Sequence, residues 1–190
     1  SDMLKPVLSE LAATNDLVVI SGRNRSFLEK TFVDIPLYLV AEHGAFLKKP
    51  NGPWQQLDLT ADDWRTPVRT IMDLSVSRFV GSFIEEKETT IAWHYRMVEE
   101  EDIETHAVEL ATNLRRVTSS VPLAVIQGSK VIEVKPAQHS KGTVALSILE
   151  QKPYNFIISI GDDATDEDMF RQLPNWAYTV KVGPGLTSAR

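Results

Sequence analysis

Apolar positions along the chain recur with two different periods. Leu4, Val7, Leu8 and Leu11 fall at helical spacing, with Pro6 near the start of the stripe. "NDLVVIS" then compresses into a short apolar strand, and "GRNRSFLEKTF" predicts a turn followed by a helix. "PLYLVAEHG" predicts a second buried strand, and "KKPNGPW" carries the turn residues of a hairpin.

Between about 60 and 127 the pattern changes. A helix is predicted from Thr60, with Asp63 completing a capping box and Trp64, Val68, Ile71 and Met72 as its apolar face. "GSFIEEKETTIAWHYR" predicts a pair of strands. In its second half Ile91, Trp93 and Tyr95 alternate with Ala92, His94 and Arg96, which separates an apolar face from a polar one. A helix striped by Ile103, Ala107, Leu110, Leu114 and Val117 follows, then the strand "LAVIQ". This stretch is expected to form its own α+β lobe.

The last third returns to the first style. It predicts strand "KVIEV", a helix from Ser140, strand "FIISI", a helix from Thr165 and strand "AYTVKV". Alternating strands and helices indicate α/β architecture with a mainly parallel sheet. The expectation is a Rossmann-like parallel-sheet core formed by 1–59 and 128–190, split by an α/β insert at 60–127.

Composition narrows the function classes. The net charge is -6, but ten of the 26 acidic residues lie in "EEEDIE" and "DDATDED". The remaining acids are outnumbered by the 20 basic residues, which form no stripe suited to a nucleic-acid backbone. No apolar run approaches the ~20 residues that cross a bilayer, so no membrane partner is expected. There is no cysteine, which removes disulfides and thiolate metal sites and fits a cytosolic protein.

In open parallel sheets, ligands bind beyond the carboxyl ends of the strands. Ser21 follows strand "LVVI", Glu42 and His43 follow "LYLVA", and Asp162 follows "IISIG". Three strands therefore deliver polar groups to one edge. Asp162 and Asp166 offer hard oxygen ligands of the kind that suit Mg²⁺. A calcium EF-hand loop starting at Asp162 fails, since its third, sixth and twelfth positions are Ala164, Glu167 and Leu173. Helix-start stabilisation explains Glu167 and Asp168 well, but explains the Asp162–Asp163 pair at a strand end poorly. Lys141 opens a helix against its dipole, which calls for a nearby anion unless the side chain is simply solvated. Ser21 suits either a phosphate oxygen or an N-cap.

Ser21 in "VVISGR", Lys141 in "HSKG" and Asp162/Asp166 in "GDDATDEDMF" resemble the second, third and fourth motifs of haloacid dehalogenase-type phosphatases. With "AEHGAF", "GSFIEEKETTIAWHYR" and "KVIEVKP", nearly the whole chain resembles the trehalose-6-phosphate phosphatase domain. The resemblance implies a Mg²⁺-dependent phosphomonoesterase working through an aspartyl-phosphate on a phosphorylated disaccharide. Ser21 would then bond the phosphoryl group, Lys141 would balance its charge, Asp162 would bind Mg²⁺ and Asp166 would support the metal site. The insert would be a cap domain. Glu42, His43, Gly44, Glu85 and Lys87 match positions associated with the sugar hydroxyls or with the cap–core interface. His94 and Arg96 match as well, with packing of the insert's own strands as the alternative role. Glu133 is expected to be structural or substrate-orienting.

The family's first motif, Asp-x-Asp-Gly-Thr, is absent from these residues. The chain therefore reads as a fragment truncated at both ends, with "SDM" as a cloning remnant. It is expected to be inactive by itself, and marginally stable or self-associating. A trehalose-6-phosphate synthase is the expected fused or associated partner. Two alternatives stay open: a non-catalytic phosphatase-like module of such a synthase, and a phosphatase for another sugar phosphate such as sucrose phosphate.

Overall fold

The computed structural model describes residues 4–57 and 63–190. The chain forms two compact units, Ser1–Asp58 with His139–Arg190, and Leu59–Gln138.

The first unit opens with α1 (Leu4–Thr14), β1 (Val18–Ile20), α2 (Arg25–Thr31) and β2 (Tyr38–Ala41). A 3-10 turn (Glu42–Gly44) leads into β3 (Phe46–Lys48) and β4 (Trp54–Gln56). β1 and β2 run parallel, while β2, β3 and β4 pair antiparallel. The β3–β4 hairpin turns where Asn51 adopts φ 58°, inside the predicted turn. Leu28, Leu37, Leu39, Ala41, Ala45 and Phe46 form the core beneath α2. The helical stripe of α1 is present, yet Leu4, Val7 and Leu11 are exposed and none of its residues is buried.

The second unit holds α3 (Arg65–Arg78), β5 (Phe83–Glu86), β6 (Ile91–His94), α4 (Ile103–Val117), β7 (Leu123–Gly128) and β8 (Val131–Pro136). Its sheet has the order β5-β6-β8-β7 and is antiparallel throughout. Ile91, Trp93, Ile132 and Val134 pack with Val68, Met72, Leu110 and Leu114 of the two helices. Full burial of each large apolar side chain contributes about 1.5–3 kcal/mol. α3 begins at Arg65, after Trp64, which makes no side-chain cap bond. Thr60, the predicted start, lies outside the described residues.

Two expectations need correction here. "KVIEV" was expected in the parallel core, but as β8 it pairs antiparallel with both β6 and β7. Its Ile132 and Val134 complete the core of the second unit. The predicted boundary at 127/128 therefore falls inside β7, and the unit instead ends at Gln138. An apolar strand shows the same alternation whichever sheet receives it, so the pattern alone does not reveal its neighbours.

The chain then returns to the first unit as α5 (Lys141–Leu149), β9 (Ile158–Gly161), α6 (Ala164–Gln172) and β10 (Tyr178–Lys181). β9 and β10 form a separate two-stranded parallel ladder. The parallel sheet thus consists of two parallel pairs, one extended by the antiparallel strands β3 and β4. Val144 and Ile148 of α5 pack with Val40 and Leu47, and Ala145 packs with Met169, Phe170 and Leu173. α5 thereby links the first ladder to α6 through apolar contact. Among the described residues, no helix is long and apolar enough to cross a membrane.

Candidate active site

The carboxyl end of β9 runs directly into the acidic loop. α6 starts at Ala164 with Asp163 as its N-cap, so the cap is one step earlier than a start at Thr165 requires. Asp163 Oδ1 accepts from the backbone N–H groups of Thr165 and Asp166, at 2.7 and 2.9 Å. Asp166 Oδ2 in turn accepts from the N–H groups of Asp162 and Asp163, at 2.9 and 3.0 Å. This reciprocal capping box satisfies donors that a helix start leaves free. The Asp-x-x-Asp spacing was the sequence signal for it.

Lys141 crosses to the same loop from the start of α5, where Ser140 is the N-cap. Its Nζ donates to Asp166 Oδ1 at 2.8 Å and approaches Asp163 Oδ2 at 3.3 Å. Lys141 is only 6% exposed, so the solvated reading of this lysine does not hold. The anions that resolve its conflict with the helix dipole are carboxylates of the loop. Burial pushes the Asp163 carboxyl up, but the Thr165 hydroxyl, the Lys141 ammonium and the Asp166 N–H outweigh it. They hold the group at about 2.

Asp162, Asp163 and Asp166 offer carboxylate oxygens that all lie within 4.8 Å of one another. Asp166 is buried and engaged on both oxygens, whereas Asp162 is exposed at the loop mouth. Such a donor set, two exposed carboxylates with a buried, oriented one behind them, fits Mg²⁺, which keeps several waters or phosphate oxygens.

Ser21 and the Glu42–Gly44 turn meet at the ends of β1 and β2. The N–H of Ser21 donates to Val40 O, and its own carbonyl accepts from His43 N at 3.1 Å. Asn24, rather than Ser21, caps α2. The Ser21 hydroxyl accepts from Arg23 N at 3.2 Å, inside the turn. Glu42 and His43 both adopt positive φ, 47° and 58°, an arrangement costing non-glycine residues roughly 1–2 kcal/mol each. Glu42 is fully buried. Gly44, at φ 114°, lets this turn approach α5, since a Cβ there would lie 2.9 Å from Ser140 O. Gly22 similarly makes room for the His43 ring, a requirement that the sequence reading missed.

Glu85 and Lys87 lie in the second unit. Lys87 Nζ is 3.9 Å from Glu85 Oε2 and 3.7 Å from Glu133 Oε1. His94 Nε2 meets Glu85 Oε2 at 3.0 Å. Arg96 donates to Ser129 O at 3.2 Å, which ties it to the turn of its own sheet. The single sheet edge expected for Ser21, Glu42, His43 and Asp162 is divided, since β1 and β2 belong to one ladder and β9 to another.

The family model described as Trehalose-phosphatase matches residues 1–184. The chain is 44% identical over 191 residues to a bifunctional trehalose-6-phosphate synthase/phosphatase of Thermoproteus tenax, covering all of this chain and 26% of that protein. It is 39% identical over 176 residues to a trehalose-phosphatase of Schizosaccharomyces pombe, covering 87% of this chain and 22% of that one. The chain therefore spans about a quarter of the length of these relatives. The C-terminal domain of Candida albicans trehalose-6-phosphate phosphatase superposes with a TM-score of 0.90 at 29% identity. That comparison covers all of this chain and 77% of the solved one. With its α/β fold and its motifs in order, the chain belongs to the trehalose-phosphatase family, of haloacid dehalogenase type.

Proposed function

We propose that the chain supplies the phosphoryl-handling and sugar-binding residues of an enzyme that hydrolyses trehalose 6-phosphate to trehalose and phosphate. The observation that carries this reading is the Lys141–Asp166 pair held beside the exposed Asp162 at the end of β9. It offers a fixed positive charge next to a hard-cation site, the combination that phosphoryl transfer needs.

Asp162, with Asp166 behind it, would hold Mg²⁺. When bound, the ion neutralises charge on the transferring phosphoryl group. Ser21 would donate its hydroxyl to a phosphoryl oxygen, and Lys141 would balance the charge as it builds. His43, together with Glu85 and Lys87 of the second unit acting as a cap, would serve substrate recognition, with the buried Glu42 and Gly44 shaping the turn that carries His43. A disaccharide presents many hydroxyls, which paired carboxylate acceptors and an ammonium donor match.

The aspartyl nucleophile implied by the resemblance is not among these 190 residues, so the chain alone is expected not to turn over substrate. A fused synthase domain is the expected partner, in keeping with the bifunctional Thermoproteus relative. The test is phosphate release by the full-length parent protein across trehalose 6-phosphate, sucrose 6-phosphate and glucose 6-phosphate, with and without Mg²⁺. Preference for trehalose 6-phosphate is expected. Equal rates on all three, or no dependence on Mg²⁺, would overturn the reading.

A further inference from the structure

The face of the second unit's sheet that is turned away from α3 and α4 is organised in rows across the strands. Phe83, His94 and Val131 are register partners in one row, and Glu85, Ala92 and Glu133 form the next. Partners in an antiparallel ladder share a face, so an apolar–aromatic row lies beside an acidic one. Along the chain, Phe83, Glu85 and Lys87 follow the period of two. The Phe83 ring stacks on the His94 imidazole, with centroids 4.8 Å apart and planes 14° from parallel. His94 in turn holds the Glu85 carboxylate at 3.0 Å. One face of the phenyl ring is therefore covered by a residue that orients Glu85, while Phe83 as a whole remains 54% exposed.

Resting on the sugar-recognition role given above to Glu85 and Lys87, we propose that Phe83 is a specificity residue. Its uncovered ring face would receive the C–H face of a pyranose ring, whose hydroxyls reach Glu85 one row away and Lys87 beyond it. A pyranose has an apolar C–H face and a polar rim, and a flat aromatic ring beside carboxylates matches both. His94, clamped between Phe83 and Glu85, fixes the ring and the carboxylate relative to each other.

The experiment measures trehalose binding to the 190-residue chain by titration and by saturation-transfer NMR. In the unaltered protein, magnetisation should pass between the Phe83 ring protons and sugar C–H protons, a readout that needs no variant to fold. Phe83→Ala should weaken trehalose binding about five- to tenfold, the scale of one aromatic contact. Phe83→Trp should restore it, whereas Phe83→Leu, which keeps apolar bulk but no flat face, should not. Affinity for inorganic phosphate should stay unchanged in all three. If Glu85→Gln weakens trehalose binding while Phe83→Ala does not and no transfer is seen, the Phe83 proposal falls and the sugar assignment stands. If trehalose does not bind, or binds independently of both Glu85 and Lys87, the assignment fails and takes the Phe83 proposal with it.

Discussion

The Lys141 ammonium lies 2.8 Å from Asp166 Oδ1, and both side chains are 7% exposed. The pair joins the first turn of α5 to the first turn of α6. Removing the lysine would strand a buried carboxylate, which typically costs about 3–5 kcal/mol. Lys141→Met should therefore lower the urea midpoint of the first unit strongly, and Lys141→Met combined with Asp166→Asn, which removes the charge but keeps an acceptor for the capping box, should recover part of the loss. A single variant as stable as the parent would show that the pair contributes nothing to folding.

The glycines behind the Glu42–Gly44 turn should rank in order. A Cβ at Gly22 would sit 2.4 Å from His43 Nε2, at the far end of a side chain that can rotate. A Cβ at Gly44 would meet the Ser140 backbone at 2.9 Å, with φ at 114°. Gly44→Ala should cost about 1–3 kcal/mol, and Gly22→Ala less. Gly22→Ala should instead shift the His43 ring resonances, so a histidine NMR spectrum separates the two effects.

His106 makes the second unit sensitive to pH. Its Nε2 lies 2.9 Å from the buried Ser75 hydroxyl, and its ring packs 4.6 Å from Phe79. Burial, with a smaller contribution from Arg78, pushes the imidazole below the usual histidine range, against the opposing pull of Glu109 and Asp102. The unfolded chain then takes up a proton before the folded one does. Stability should be full above the ordinary histidine pKa and fall as pH drops below it. Denaturation measured between pH 8 and about 5 should show that slope, and His106→Gln should flatten it.

Binding of Mg²⁺ is expected to raise the thermal midpoint of the chain by mass action. Asp162→Asn should abolish that rise with little change in stability when no ion is added, because Asp162 is exposed and belongs neither to the capping box nor to the Lys141 pair. An unchanged response to Mg²⁺ in this variant would move the metal site elsewhere.

Much of this architecture is written in hydrophobic spacing. Ile91, Trp93 and Tyr95 alternate in the sequence and are all buried against α3 and α4. The helices from Ser140 and through Ile103–Val117 stand where their caps and stripes predict. What spacing does not carry is partner choice, and so β8 was expected in the wrong sheet. The resemblance named Lys141 and Asp166 for the site, but the contact between them depends on two helix starts meeting in space. The cap role of Asp163 was missed although its capping-box spacing was visible, because the helix was expected to start at Thr165. The left-handed pair Glu42–His43 was not legible, since neither residue favours that conformation on its own.

Within the first unit, β9 and β10 are bonded, among the described residues, to each other and to no other strand, and Ile158, Ile160, Tyr178 and Val180 remain exposed on one side. Such a pair has few ladder bonds to lose when it opens, so its amides should exchange with solvent sooner than those of β2 or β6. The acidic loop grows directly out of β9, and its lifetime as an ordered cluster is bounded by that local opening. A cation or phosphate gripping the loop would therefore also slow deuterium uptake along two strands that it never touches.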